Sequence, residues 1–346
     1  MLNSERLQQL ITGFAASRVA VVGDYFLDTY LDVDPRLDEP SVETGKTANQ
    51  VVDVRNSPGA AGTVINNLAA LGAGSLQAFG IVGADGYGYE LRQALEKRDC
   101  HTDGLIVSDS VMTPTYMKPR DIETPGLEGE HSRYDIQNRQ PMPADLVDQV
   151  LDQLDARLPE LDAVIVADQV EQAECGVITA HMREALARRS QAHPQTIFWA
   201  DSRSRIHAFE NMIIKPNQFE AIGHQHPEVD EVIDAARLHT QIQQLRSRTQ
   251  RPVFLTRGPA GILVSDPQPT TVPAIDVPQP IDTTGAGDSV TAGAVLALAA
   301  GATVVEAALI GNLVAATTVR QLATTGTARP ADLHSQLKIW HNQHNR

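Results

Sequence analysis

Thiols are almost missing from these 346 residues: Cys100 and Cys175 are the only cysteines. They lie far apart and without metal-ligand spacing. That argues against a disulfide framework or a thiolate-held metal and reads as two free thiols in a reducing compartment. Basic charge is also short. Lys and Arg number 28 against 43 Asp and Glu, a net charge of -15. Non-specific nucleic-acid binding rests on neutralising phosphates with Lys and Arg, so no nucleic-acid partner is expected. A pocket can still be locally positive in an acidic protein, so a phosphorylated small substrate stays open. No apolar run approaches ~18 residues, and no membrane span or membrane partner is expected. Residues 4–14 are amphipathic rather than the apolar core of a signal peptide, so a cytoplasmic location is expected. Of the eleven histidines, only His224 and His226 are close in a loop-like stretch, and they make a poor metal site. No internal repeat or low-complexity tract is visible.

What is present is ordinary globular composition, 42% hydrophobic and 21% charged, with enough chain for a sizeable core. Leu7, Leu10, Ile11 and Phe14 recur at helical spacing, with Ser4 as a cap. Short apolar strands are expected over 18–23, 76–82, 161–167, 196–200, 212–214, 253–256 and 262–265. Helices are expected over 60–71, closed by Gly72, and over 89–98, 174–189, 229–248, 289–298 and 304–322. Alternating βα units of this kind imply an α/β fold with a doubly wound, mostly parallel sheet. One domain is expected over 1–346. Two stretches, about 30–56 and 112–137, break the alternation with short strands and turns. They read as a small β-strand lid, or as two surface hairpins without function. Two Gly patterns carry no site. Gly45-Lys46-Thr47 resembles the end of a P-loop, but the Gly needed five positions earlier is Pro40. The run from Gly83 to Gly88 lacks dinucleotide-fingerprint spacing.

The most informative segment is Asp282-Thr283-Thr284-Gly285-Ala286-Gly287-Asp288. A Gly-rich turn opening a helix leaves backbone N–H groups unpaired, and the helix dipole adds positive potential there. An anion site beside a carboxylate is the minimal apparatus for moving a phosphoryl group onto a hydroxyl. The plainer alternative is a helix start with Asp288 as a capping acid.

This segment resembles the C-terminal signature of the ribokinase-like (PfkB) carbohydrate kinases, and four further elements follow the family's order. Val21-Val22-Gly23-Asp24-Tyr25-Phe26-Leu27-Asp28 looks like the first strand with its substrate acid. The stretch from Pro58-Gly59-Ala60-Ala61-Gly62-Thr63-Val64 to Asn67-Leu68-Ala69-Ala70-Leu71-Gly72 looks like the N-terminal signature. Lys215-Pro216-Asn217-Gln218-Phe219-Glu220 matches the Asn-x-x-Glu element. Thr256-Arg257-Gly258-Pro259-Ala260-Gly261 matches the Thr-x-Gly-x-x-Gly turn. The opening Gly-Asp-x-x-Leu-Asp and Arg133-Tyr134-Asp135 look most like the heptose-phosphate kinase branch.

The resemblance implies an ATP-dependent sugar or sugar-phosphate kinase using Mg²⁺, with a monovalent cation as a further family cofactor and a homodimer through the lid. Asp288 would take the proton from the attacking hydroxyl, and the N–H groups of Gly285, Ala286 and Gly287 would hold the transferring phosphate. Asp24, Asp28, Gly59 and Thr63 would face the sugar, Asp24 being otherwise a turn residue. Arg133 would meet a sugar phosphate, or pair with Asp135. Asn217, Thr256, Gly258 and Gly261 would line the nucleotide, and Glu220 would act on magnesium through water. Asn312 would lie near the adenine, or be a plain exposed helix residue.

Three departures stand out. Ala60 occupies a position usually Gly, and Thr63 one usually Asn. The stretch 167–172 lacks the Lys that the heptose kinases carry after a Ser-Asp-Tyr element. Two alternatives stand beside the sugar kinase: a catalytically weak relative that binds sugar or nucleotide as a regulator, motivated by Ala60 and Thr63, and a nucleoside kinase, which shares the apparatus and differs only in the acceptor pocket.

Overall fold

Residues 2–124, 126–228, 231–322 and 324–344 are described in this computed structural model. The first helix, α1 (Ser4–Phe14), buries Leu7, Leu10 and Phe14. Its cap is Asn3 rather than Ser4, the Asn3 side chain accepting from Arg6 N–H at 2.8 Å. In chain order there follow β1 (Arg18–Gly23), β2 (Tyr25–Val33), β3 (Glu39–Pro40), β4 (Thr47–Ala48), β5 (Val51–Ala60) and α2 (Ala61–Leu71). Then come β6 (Ser75–Gly83), α3 (Gly86–Glu96), β7 (Cys100–Ser108), β8 (Thr115–Asp121), β9 (Tyr134–Ile136), α4 (Ala144–Arg157), β10 (Ala163–Asp168) and α5 (Ala180–Ala192). The chain continues through β11 (Ile197–Ser202), β12 (Ile213–Ile214), α6 (Gln218–Ala221), α7 (Ala235–Thr249), β13 (Phe254–Thr256), β14 (Ile262–Val264) and β15 (Thr270–Val272). It closes with α8 (Ala286–Ala299), α9 (Val304–Thr318) and α10 (Pro330–His344).

The central sheet is parallel throughout, in the order β12-β11-β10-β1-β6-β7. Strand order reverses at β1, whose neighbours β6 and β10 lead away in opposite directions. The crevice at such a reversal, outside the carboxyl ends of the strands, is where open α/β sheets bind ligands. The antiparallel β13-β14-β15 unit abuts the far edge through bridges Ile214 to Val253 and Asn217 to Thr256.

The sheet is covered on both faces, and β1 shows why its run is continuously apolar. Val19 and Val21 face one core with α1, α2, α8, α9 and α10. Ala20 and Val22 face the other, with α4, α5 and α7. The doubly wound fold is as expected. Strand β7 and helices α4 and α10 had drawn no expectation. The helix expected from 174 begins at Ala180, and the one expected from 229 begins at Ala235, with 229 and 230 outside the described residues.

A second sheet, β5-β2-β8-β9, stands beyond the end of β1. Strand β2 pairs antiparallel with β5 and parallel with β8. It starts at Tyr25, directly after Asp24, so the lid begins and ends closer to the crevice than the expected 30–56 bounds. One edge strand of the lid, β5, carries Val51, Val52 and Val54 in the open.

Candidate active site

Helix α8 is capped by Gly285 at φ +74, with no side-chain cap. Its first bond from the helix body is Ser289 N–H to the Gly285 carbonyl, at 2.9 Å. The N–H groups of Gly285, Gly287 and Asp288 meet no protein acceptor among the described residues. Ala286 differs from expectation: its N–H turns back to the Thr283 carbonyl at 3.1 Å. The open donors are therefore Gly285, Gly287 and Asp288, an anion cradle at the positive end of a 14-residue helix.

Lys215 adds a full charge there. A Cβ on Gly287 would lie 3.3 Å from Lys215 Nζ, so glycine lets the ammonium come close. Lys215 is buried and pairs with Asp201 at 2.9 Å. Burial alone would push its pKa down, but Asp201 and Glu220 keep it above the ordinary lysine value. Asp288, partly buried, is pushed up to about 7 by burial first and then by Asp201, with Lys215 and Arg203 pulling the other way. A carboxyl poised near neutrality suits a proton acceptor. Lys215 lies within the Lys-Pro-Asn-x-x-Glu element, but nothing local in the sequence marks it as the cation of the cradle. Asp201 and Arg203, at the end of β11, carried no local signal at all.

Asn217 and Glu220 form a capping box on α6. Asn217 Oδ1 accepts from Phe219 N–H at 2.8 Å and Glu220 N–H at 2.9 Å, while Glu220 Oε2 accepts from Asn217 N–H at 2.7 Å. Burial raises the Glu220 pKa to about 7, with Lys215 opposing. Thr256 joins this cap, its N–H donating to Pro216 O at 2.9 Å. Gly258 and Gly261 shape the turn that follows. At Gly261, φ is +83 and a Cβ would sit 2.2 Å from Val272 O, so only glycine fits. Asn312 is buried, which excludes the exposed alternative. Its Nδ2 donates to Val272 O at 3.0 Å and Pro273 O at 3.1 Å. That amide nitrogen holds β15 against α9 and is not turned to a ligand.

On the lid side, Asp28 is 5% exposed and pairs with Lys118 at 3.0 Å. Gly59 lies across from it, where a Cβ would come 2.9 Å from Asp28 Oδ2. Asp28 is near enough to raise the Asp288 pKa, so the two acids share one crevice. Thr63 is buried, and its methyl carbon would lie 3.2 Å from a Cβ on Gly285. Ala60 holds φ +54, a region where a methyl is strained.

Asp24 departs furthest from expectation. Its Oδ2 accepts from Gln169 N–H at 2.8 Å and Val170 N–H at 3.0 Å, and its Oδ1 from Val177 N–H at 2.7 Å. Both oxygens are thus taken up by backbone rather than offered to a sugar. Burial, then Asp168, raises its pKa to about 6, while the three N–H groups hold it down.

A cavity of about 390 Å³ lies beside the crevice, between the lid and the segment after β10. Its wall includes three guanidinium groups, Arg133, Arg139 and Arg203, with Gln137 and Gln169. Arg133 both stacks on Tyr116, at 4.3 Å to the ring centroid, and pairs with Asp135 at 2.7 Å. Within the stretch 167–172, Glu171 pairs with Arg203 at 3.1 Å. No group of three or more His, Cys, Asp or Glu is gathered to hold a metal ion among the described residues.

A helix-end anion cradle, a lysine and a near-neutral carboxyl at the switch point of a lidded α/β sheet define a phosphotransferase acting on a hydroxyl. The chain belongs to the pfkB family of carbohydrate kinases, whose pattern it matches over residues 16–331. It is similar to the bifunctional protein HldE of Desulfatibacillum aliphaticivorans, 28% identical over 94% of this chain and 64% of that protein. The HldE of Caulobacter sp. strain K31 is 30% identical over 92% and 63%. The chain thus spans under two thirds of the length of these curated relatives. In fold it resembles phosphofructokinase-2 from Escherichia coli in complex with substrates and products, with a TM-score of 0.67, 19% identity, and 94% and 99% of the two chains covered. Ribokinase from Arabidopsis thaliana, complexed with ribose and ATP, gives a TM-score of 0.63 at 17% identity, covering 94% and 98%.

Proposed function

We propose that this carbohydrate kinase transfers the γ-phosphoryl group of ATP to a hydroxyl of a phosphorylated sugar of the heptose-phosphate kind. The observation that carries the choice of acceptor is the cavity with Arg133, Arg139 and Arg203 on its wall. Guanidinium forks suit phosphate. Arg203 also acts on Asp288, so the cavity and the transfer point are neighbours. A neutral nucleoside has no use for a guanidinium-rich wall, even one with Arg133 paired to Asp135 and Arg203 to Glu171, which disfavours that alternative.

Asp288 removes the hydroxyl proton as the oxygen attacks. The N–H groups of Gly285, Gly287 and Asp288, with Lys215, hold the transferring group as its charge redistributes. Asp28 orients the acceptor from the lid, with Gly59 giving it room. Asn217, Thr256, Gly258 and Gly261 shape the nucleotide wall, which Asn312 braces from behind. Magnesium would enter with the nucleotide phosphates and largely hydrated, neutralising their charge; the carboxylate of Glu220 is a hard oxygen group suited to meet it through water. A homodimer through the lid is supported by the open valines of edge strand β5. The absence, among the described residues, of a helix long and apolar enough to cross a membrane is compatible with work in the cytoplasm.

The test is ATP-dependent ADP release against a panel of free sugars, sugar phosphates and nucleosides. Heptose 7-phosphate or a close relative should be the preferred acceptor, and Arg139→Ala should raise its KM without changing that for ATP. Turnover of free sugars or nucleosides alone would overturn the acceptor class. Nucleotide binding without turnover of any acceptor would favour the weakly catalytic binder that Ala60 and Thr63 raise.

A further inference from the structure

The 169–177 segment is one wall of the 390 Å³ cavity, through Gln169, Val170, Glu171, Gln172 and Cys175. It contains neither helix nor strand, so no ladder of its own fixes its shape. Two side chains from elsewhere in the chain grip its backbone with opposite charge. Asp24, at the end of β1, accepts the N–H groups of Gln169, Val170 and Val177. Arg205, beyond β11, donates to the carbonyls of Val170 and, at 2.8 Å, of Glu171. Arg205 is itself fixed by Asp168, at 3.2 Å from its Nε. The fit around Asp24 is close: a Cβ on Gly176 would lie 2.6 Å from Asp24 Oδ1. Asp24 also reaches the other side of the crevice, since its carbonyl accepts from Ala61 N–H, at 3.0 Å, in the first turn of α2.

We propose that Asp24 and Arg205 form a two-sided clamp that sets the position of the acceptor wall, so that both are positioning residues for acceptor recognition and neither touches the substrate. That the walled cavity receives the acceptor rests on the function proposed above; the clamp itself does not. An anion taking N–H groups and a cation taking carbonyls fix a loop in both senses. Charge-assisted bonds of this kind are roughly twice as strong as neutral ones. Loosening either side would let the wall leave the place where it meets a bound acceptor, so the cost falls on acceptor binding.

The experiment compares wild type, Asp24→Asn and Arg205→Lys by two readouts. Asn keeps the shape of Asp but turns an N–H₂ toward backbone donors. Lys keeps the charge of Arg but cannot serve two carbonyls and Asp168 together. The first readout is hydrogen exchange of the 169–177 amides; the second is the KM for ATP and for the best acceptor among heptose 7-phosphate and fructose 6-phosphate. The clamp predicts faster exchange confined to this segment. It also predicts a KM for the sugar phosphate raised on the order of ten- to a hundredfold, a smaller change in kcat, and an unchanged KM for ATP. Arg205→Lys should lie between wild type and Asp24→Asn. Unaltered exchange in both variants, or a loss of kcat with acceptor KM unmoved, overturns the proposal. If neither variant folds, the pair serves stability alone, and the positioning role is overturned as well. If wild type turns over neither sugar phosphate, the proposed acceptor falls, and the clamp then stands or falls on exchange alone.

Discussion

The two halves of the crevice are built in different ways. On the side proposed for the nucleotide, the bonds that shape the helix ends are short in sequence. Asn217 caps a helix that starts at the next residue, Glu220 returns to Asn217, and Gly285 opens the helix that carries Asp288. On the side proposed for the acceptor, many of the contacts span the chain. Asp24 reaches Val177, Asp28 reaches Lys118, and Arg203 meets both Glu171 and the field of Asp288. A site made of local caps tolerates little change without losing its chemistry. A site made of long-range contacts can be retuned by moving a loop or exchanging a pair. Of the departures from the family pattern, Ala60 and the stretch 167–172 fall in the second half, and Thr63 lies where the two halves meet.

The sharpest way to test this division is to strike the local half. Asp288→Asn keeps the shape and the helix start but cannot take a proton. Steady-state kinetics should show kcat lowered by about 10²–10⁴-fold, with ATP affinity by calorimetry near normal. A variant keeping most of its turnover would remove Asp288 from the reaction. Because burial holds this carboxyl near 7, kcat/KM of wild type should fall as pH drops through about 7.

On the acceptor half, the corresponding change has two consequences that can be separated. Asp28→Ala removes a charged acceptor and leaves the half-buried Lys118 ammonium without its carboxylate, beside the Tyr30 ring. Acceptor binding should weaken by roughly 1.5–3 kcal/mol, and thermal stability should fall as well. Adding Lys118→Met should recover the melting temperature but not the acceptor affinity. Affinity for ATP should stay constant throughout; a fall in it would place Asp28 on the wrong side of the division.

The same contrast sets what could be read from sequence. The parallel sheet, its helices and the Gly-Ala-Gly-Asp turn are legible because their signals lie within a few residues: apolar runs, a closing Gly72, a glycine before a helix. Even there, the choice between neighbours escapes. Asn3 and Ser4 are equally good caps, and which N–H groups stay open depends on how the Thr283 to Ala286 turn folds. Asp24 looked like a sugar ligand because an acid after a strand at a switch point usually faces the crevice. Only the arrival of Val177, 153 residues later, shows that its oxygens are taken. Asp201, Arg203 and Arg205 sit in no recognisable motif, since their partners are brought by sheet order and not by spacing.

A milder probe acts through pH. Asp288, Glu220 and Asp24 all have pKa values raised in the fold, to about 7, 7 and 6. Each holds its proton more tightly folded than unfolded. Their contribution to stability is therefore full below about pH 4 and is lost as pH rises through 6 to 7. The melting temperature of the ligand-free protein should decline by a few degrees, roughly, over that window. Partial exposure of Asp288 limits its share. In Asp288→Asn the decline should be shallower; an unchanged slope would show that this acid is not strained by its surroundings.

The smallest expected effect concerns the altered signature itself. Ala60 holds φ +54 and ψ -118 at the start of α2, a conformation open to glycine and strained for alanine. Such strain costs about 1–3 kcal/mol. Ala60→Gly should therefore raise the melting temperature by roughly 2–4 °C, less whatever the added freedom of glycine gives the unfolded chain. Alone it should leave KM for ATP unchanged, because α2 faces the acceptor half. Thr63 is different: its methyl group packs toward Gly285, so this one residue touches both halves. Adding Thr63→Asn replaces a methyl and a hydroxyl with an amide that can serve more sugar hydroxyls. If the two departures shift the enzyme's choice of sugar, the double variant gains kcat/KM on heptose 7-phosphate over wild type. If wild type is already fast on that sugar and the double variant gains nothing, the altered signature does not set the substrate. If ATP kinetics change as well, the contact between Thr63 and Gly285 couples the two halves of the crevice.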